Sequence, residues 1–158
     1  MNINEAVKLR NEGKLEESNK MLVALVNQTP EDAMTNYQCA WSFDVLEQEV
    51  EAIEYYEKAI TLGLPDEDLK EAYLGLGSTY RTIGEYDKSK KTFEKAMDRF
   101  DDNALKVFYA MTLYNLEDHS QAMETLLKLL SETSNDNSIK GYRKAIEFYS
   151  DKLDKLFK

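Results

Sequence analysis

The chain has 158 residues, 42% of them hydrophobic, and its 20 Lys and Arg stand against 30 Asp and Glu for a net charge of −10. That is the length of one domain with ample apolar content for a core, while the acid excess repels a phosphate backbone and argues against nucleic acid as a partner. No apolar run approaches the roughly 18 residues of a membrane span, and Met1-Asn2-Ile3-Asn4-Glu5 lacks the basic and apolar regions of a signal peptide, so a cytoplasmic protein with no membrane partner is expected.

The first predicted helix starts almost at Met1 and carries Ala6 and Leu9 to a turn at Asn11 to Lys14, where Gly13 suits positive φ. Its partner repeats Leu22, Leu25 and Val26 at the three-and-four spacing of an amphipathic helix and closes at Pro30. The next pair has Cys39, Ala40 and Phe43 before a turn at Leu46 to Gln48, and Ala52, Ile53, Tyr56, Ala59 and Ile60 after it. Residues 61–68 then hold a helix stop, Gly63, and a helix start, Pro65-Asp66, which reads as a loop extension and not a domain boundary. A third pair turns at Gly84-Glu85 and a fourth at Glu117-Asp118. Residues 131–138 are a polar linker able to cap a new helix. Beyond it Ile139, Tyr142, Ile146, Tyr149, Leu153 and Leu156 step along one face, which predicts a capping helix over about 138–157.

These pairs are copies of one pattern. Small residues Ala6, Ala40, Gly77 and Ala110 recur with large apolar Leu9, Phe43, Tyr80 and Leu113 at steps of 34, 37 and 33 residues, and the same steps link Ser18, Ala52, Ser89 and Ala122. A period in this range signals stacked helical units, none able to bury its apolar face alone. In the third unit Tyr73-x-x-Leu76-Gly77-x-x-Tyr80, Gly84, Tyr86, Ser89-x-x-x-Phe93 and Ala96 follow the pattern almost throughout.

On those residues the chain resembles the tetratricopeptide repeat (TPR) family, of the small bacterial type, over about residues 1–131. Tyr73 stands for Trp and Ser89 for Ala. The fourth unit departs further, with Lys106 for an aromatic and Glu117 for the turn glycine, as suits a terminal repeat with a less apolar outer face. The resemblance implies an all-α, α-α superhelix (TPR solenoid) of four helix-turn-helix repeats, at about 1–32, 33–66, 67–101 and 102–131, followed by the capping helix within a single domain spanning 1–158. Ala40 with Ala52 and Gly77 with Ser89 would then meet across each helix pair, where a change such as Gly77→Leu overpacks the contact.

The resemblance also implies a concave groove lined by the first helix of each repeat. By alignment it presents Ile3, Val7 and Arg10; Tyr37, Trp41 and Asp44; Leu74, Ser78 and Arg81; and Val107, Met111 and Tyr114. The expected partner-binding set is Tyr37, Trp41, Asp44, Leu74, Ser78, Arg81, Val107, Met111 and Tyr114, rich in the Trp, Tyr and Arg that dominate binding hot spots. Arg10, Asp44, Arg81 and Tyr114 share one column, which reads either as a self-neutralising charge ladder or as a set in which Arg81 holds a ligand carboxylate. The Lys and Asn set with which chaperone-binding members hold a terminal carboxylate is missing, since Ile3, Val7, Gln38, Glu71 and Gly75 stand at those positions.

Nothing in the sequence assembles a catalytic constellation. The lone Cys39 sits at a core position without Cys or His at ligand spacing, so no disulfide or metal is expected. His119 falls at a helix start in a turn or packing role, and no Gly-rich phosphate loop or other cofactor motif occurs. The expected function is therefore a non-enzymatic scaffold or adaptor holding a peptide segment of a partner protein, without metal or cofactor. The alternative is a self-associating structural protein, such as a homodimer, using its terminal helices. Charge patterning bears on that alternative: residues 139–158 carry six Lys or Arg against three acids, a net of +3 that leaves −13 on the rest. The C-terminal helix and the body are expected to attract one another.

Overall fold

The structure, a computed structural model, describes residues 1–158. It is all helical, with ten helices and no strand. In order these are α1 (Ile3–Asn11), α2 (Leu15–Gln28), α3 (Ala33–Asp44), α4 (Glu49–Leu62), α5 (Asp66–Thr82), α6 (Tyr86–Arg99), α7 (Asn103–Asn115), α8 (His119–Thr133), α9 (Asn137–Gly141) and α10 (Arg143–Tyr149). By its internal contacts the chain forms two compact units, Met1–Thr92 and Phe93–Lys158.

Four helix-turn-helix pairs close with one and the same turn. In each, the residue after the last helical turn has positive φ: Gly13 (82°), Glu47 (58°), Gly84 (84°) and Glu117 (62°). The following amide reaches back to the helix, Lys14 N to Leu9 O, Gln48 N to Phe43 O, Glu85 N to Tyr80 O and Asp118 N to Leu113 O, all at 2.8–3.0 Å. These bonds satisfy carbonyls that the helix end would otherwise leave orphaned. Glutamate thus occupies in the second and fourth repeats a backbone conformation that glycine occupies in the first and third.

In the first unit Ala6, Leu22, Val26 and Cys39 form a buried cluster against which Met21, Val23, Leu25, Phe43 and Tyr55 pack, with the Phe43 and Tyr55 rings stacked at 5.4 Å. The small-residue columns meet as the periodicity predicts, Ala40 and Ala52 being fully buried. Where the second column holds serine, the contact is also polar. Ser18 Oγ donates to Ala6 O at 2.6 Å and Ser89 Oγ to Gly77 O at 2.7 Å. Burial pushes the Cys39 thiol up to about 12, which keeps it an inert core residue at neutral pH.

Side-chain caps start the first helices of three repeats. Asn2 accepts from Glu5 N, Asp32 from Thr35 N and Asp102 from Leu105 N, at 2.8–3.0 Å. The third repeat instead begins at Pro65, where Asp66, Glu67 and Asp68 load the first turn of α5 with acid. Gly63, at φ 99°, ends α4.

In the second unit Leu105, Tyr109, Ala110 and Leu113 of α7 and Ala122 and Leu129 of α8 are buried. The continuous capping helix expected over 138–157 is not formed. α9 ends at Gly141, Tyr142 leaves helical geometry (φ −108°, ψ 14°), and α10 stops at Tyr149 with no helix after it. Gly141 and the break beside it put the apolar positions on either side out of register, so Tyr142 and Leu156 stay 67% and 73% exposed instead of joining one buried face. Ile139 and Ile146 of that face are half-buried, and polar bonds tie the segment to α8: Arg143 Nε donates to Ser131 O at 2.7 Å, and Ser131 Oγ donates to Glu147 at 3.2 Å.

Candidate functional site

In the first unit the expected contact residues gather around Trp41 on α3. The Arg10 guanidinium of α1 lies 3.8 Å from the centre of the indole ring, a stacked cation-aromatic contact. Tyr37, one turn earlier on α3, has its ring 6.1 Å from Trp41 and 6.3 Å from Tyr56 of α4. Tyr56 donates to Asp44 Oδ2 at 2.9 Å. Four aromatic and charged side chains from three helices therefore fix the position of one indole that remains 39% exposed.

Tyr37 departs from its expected place on the exposed strip. It is only 5% exposed and lies beneath Trp41, because its ring fills the space between the indole and Tyr56. Burial chiefly, with Glu71 and Asp68 of α5 adding to it, pushes its hydroxyl up to about 12. Arg10 and Asp44 do not pair with each other as the charge-ladder reading of their column would have it. The guanidinium turns onto Trp41, and the Asp44 carboxylate takes its hydrogen bond from Tyr56, which leaves the half-buried acid with a partner. Arg10 is nine-tenths buried, and its Nη1 has no hydrogen-bond partner. Burial lowers its affinity for a proton from the ordinary arginine value. Asp44 shifts the other way: burial raises its pKa, the Tyr56 bond partly offsets this, and Glu49 adds to the rise.

Gly75 explains how Tyr56 reaches Asp44. A Cβ at that position would fall 2.6 Å from Tyr56 Cζ and Oη, so the glycine of α5 is the opening into which the phenol fits. On the next turn of the same stack Tyr80 of α5 donates to the Glu57 carboxylate of α4. Both tyrosines were readable as core positions, but the repeat pattern placed Asp44 only in the groove column and did not single out Glu57, so neither was legible as their acceptor. Leu74, Ser78 and Arg81 of α5 are half-buried.

In the second unit Met111 and Tyr114 project from α7 at 39% and 63% exposure, and Val107 is half-buried. His119 opens α8 with its ring 4.8 Å from Tyr114, a packing contact at the turn. An open recess of about 260 Å³ is lined by Met97, Lys106, Tyr109, Thr125, Lys128, Leu129 and Glu132. Its two lysines already pair with Asp101 and Glu124 at 2.9 and 3.0 Å, so they offer no free acid or base. No group of three His, Cys, Asp or Glu side chains is placed to hold a metal ion, and no helix is long and apolar enough to cross a membrane.

Helix pairs recurring at 33 to 37 residues, each closed by one shared turn, define a helical repeat protein. The tetratrico peptide repeat family model matches residues 33–153, and the chain belongs to that family. Among solved structures it is similar to the crystal structure of YrrB, described as a TPR protein with an unusual peptide-binding site, at 18% identity and a TM-score of 0.53, covering 85% of this chain and 76% of that one. At that identity the likeness concerns the fold, which is all-α and of the α-α superhelix class. No curated protein matches the chain.

Proposed function

We propose that this protein is a non-enzymatic interaction scaffold that binds a peptide segment of a partner protein on the first-helix faces of its repeats. The observation that carries this reading is the Trp41 assembly. An indole held from behind by Tyr37 and from one side by Arg10, yet left 39% exposed, is a rigid apolar anchor with a polar border. Such anchors lose little entropy on binding and dominate contact energies, with about 2 kcal/mol or more lost on truncation. Asp44, Leu74, Ser78 and Arg81 would border it in the first unit, and Val107, Met111 and Tyr114 would form the contact surface of the second. YrrB, of the same fold, is described as having a peptide-binding site, which agrees with this use of the fold.

The test is a capture experiment from lysate of the source organism, comparing wild type with a folded Trp41→Ala/Arg81→Glu variant by quantitative mass spectrometry. Proteins enriched by wild type and lost with the variant support the reading. Retention of the same proteins by both variants overturns it.

A further inference from the structure

We propose that the C-terminal segment, residues 139–158, is a docking element for a second copy of this chain, seated on the acidic body, residues 1–138, of that copy. The segment is tied to α8 by Arg143 and Glu147 at Ser131, and past that anchor it spreads its apolar side chains outward. Phe148, Tyr149 and Phe157 form a mutual aromatic cluster with centroids 5.0–6.3 Å apart. All three are about half exposed or more, as are Leu153 and Leu156. A monomer rarely leaves so contiguous an apolar surface in water without a use for it.

The border of this surface is cationic. Lys152 Nζ, paired with Asp151 at 2.7 Å, lies 4.4 Å from the Phe148 ring centre, and Lys155 Nζ lies 4.9 Å from that of Phe157. With six Lys or Arg against three acids, the segment has a net charge of +3. Residues 1–92 hold ten Lys and Arg against eighteen acids, a net of −8, and residues 93–138 hold four against nine, a net of −5. Segment against segment would bring like charges together, whereas segment against the body of another copy, with its net −13, brings opposite ones. The charges therefore choose a segment-on-body contact between copies over a segment-on-segment one, and repeated from copy to copy such a contact runs head to tail. The net −13 of residues 1–138 equally disfavours an anionic lipid surface as the occupant.

Sedimentation velocity of the full chain across a wide concentration range, in about 50 mM and about 0.5 M salt, tests this. At low salt the weight-average mass should rise with concentration beyond twice that of the monomer, and high salt should reverse the rise. Lys152→Glu/Lys155→Glu should abolish association, and so should Leu156→Ser at a 73% exposed position, with helical content by circular dichroism unchanged. A head-to-tail contact adds a signature: the charge-reversed variant, monomeric alone, still offers its acidic body to wild-type tails, so mixing should cap the wild-type assemblies and lower their mass. A wild-type chain that stays monomeric at low salt overturns the proposal, as does association that survives both tail variants. A monomer that instead co-sediments with phosphatidylserine-containing vesicles overturns it in favour of a lipid surface.

Discussion

Gly75 and Asp44 show how single residues set the local design. Adding one methyl in Gly75→Ala would drive a carbon into the Tyr56 ring, which is 97% buried and held by Asp44. The ring cannot withdraw without giving up that bond. The variant should lose about 1–3 kcal/mol of stability by urea denaturation, and Trp41 fluorescence should change, since Tyr37 links Tyr56 to the indole. Asp44 gives a pH prediction. Its folded pKa is raised by burial, so the fold favours the protonated acid, and the associated stability is present below the ordinary aspartate value and lost as pH rises through the folded one. Asp44→Asn keeps an acceptor for Tyr56 without the charge. It should be at least as stable as wild type at pH 7, with the advantage disappearing under acid conditions. An Asn variant less stable at pH 7 than at pH 4, relative to wild type, would contradict this assignment.

At the scale of the element, the four turns carry the clearest contrast. Gly13, Glu47, Gly84 and Glu117 occupy one conformation with one set of hydrogen bonds, but a side chain in the left-handed region is strained by roughly 1–2 kcal/mol. Glu47→Gly and Glu117→Gly should therefore each raise stability by about 1 kcal/mol, read as a higher urea midpoint at unchanged slope. Glu117 appeared in the sequence as a departure from the repeat, yet the turn it closes is the same as the others, because the back-bonding amides are backbone groups that any residue supplies. The periodic columns made the helix pairs and the small-residue contacts legible. The serine of the second column was legible only as a substitute for alanine, although its hydroxyl bonds the carbonyl of the small residue facing it. The C-terminal helix misled for the opposite reason. Its apolar spacing was regular, but spacing says nothing about a break at Tyr142 or about an anchor at Ser131 made of polar groups. At the candidate site, alignment with the family placed Trp41 in the contact set, while Tyr37 sank beneath it and Arg10 covered its face, since both positions depend on which neighbour a long side chain chooses.

At the scale of the whole molecule the first unit sets the pattern, its repeats bonding to sequential neighbours: Asn19 of α2 bonds Ser42 of α3, Tyr56 of α4 bonds Asp44 of α3, and Tyr80 of α5 bonds Glu57 of α4. Stability in such a chain is close to a sum of unit and neighbour contributions, so a lesion should remain near its origin. Leu22, fully buried in the first-unit cluster, is a suitable place to make one. Leu22→Ala should remove about 2–5 kcal/mol locally. Amide hydrogen exchange should then accelerate in α1, α2 and α3, while α7 and α8 keep their wild-type protection. Equal acceleration in α7 and α8 would mean that residues 1–158 open as one cooperative domain, and the neighbour-by-neighbour account would have to give way to a global one. The distinction matters for binding as well, because a partner seated on Trp41 would in the local case protect α1 to α5 against exchange and leave the second unit free to open on its own.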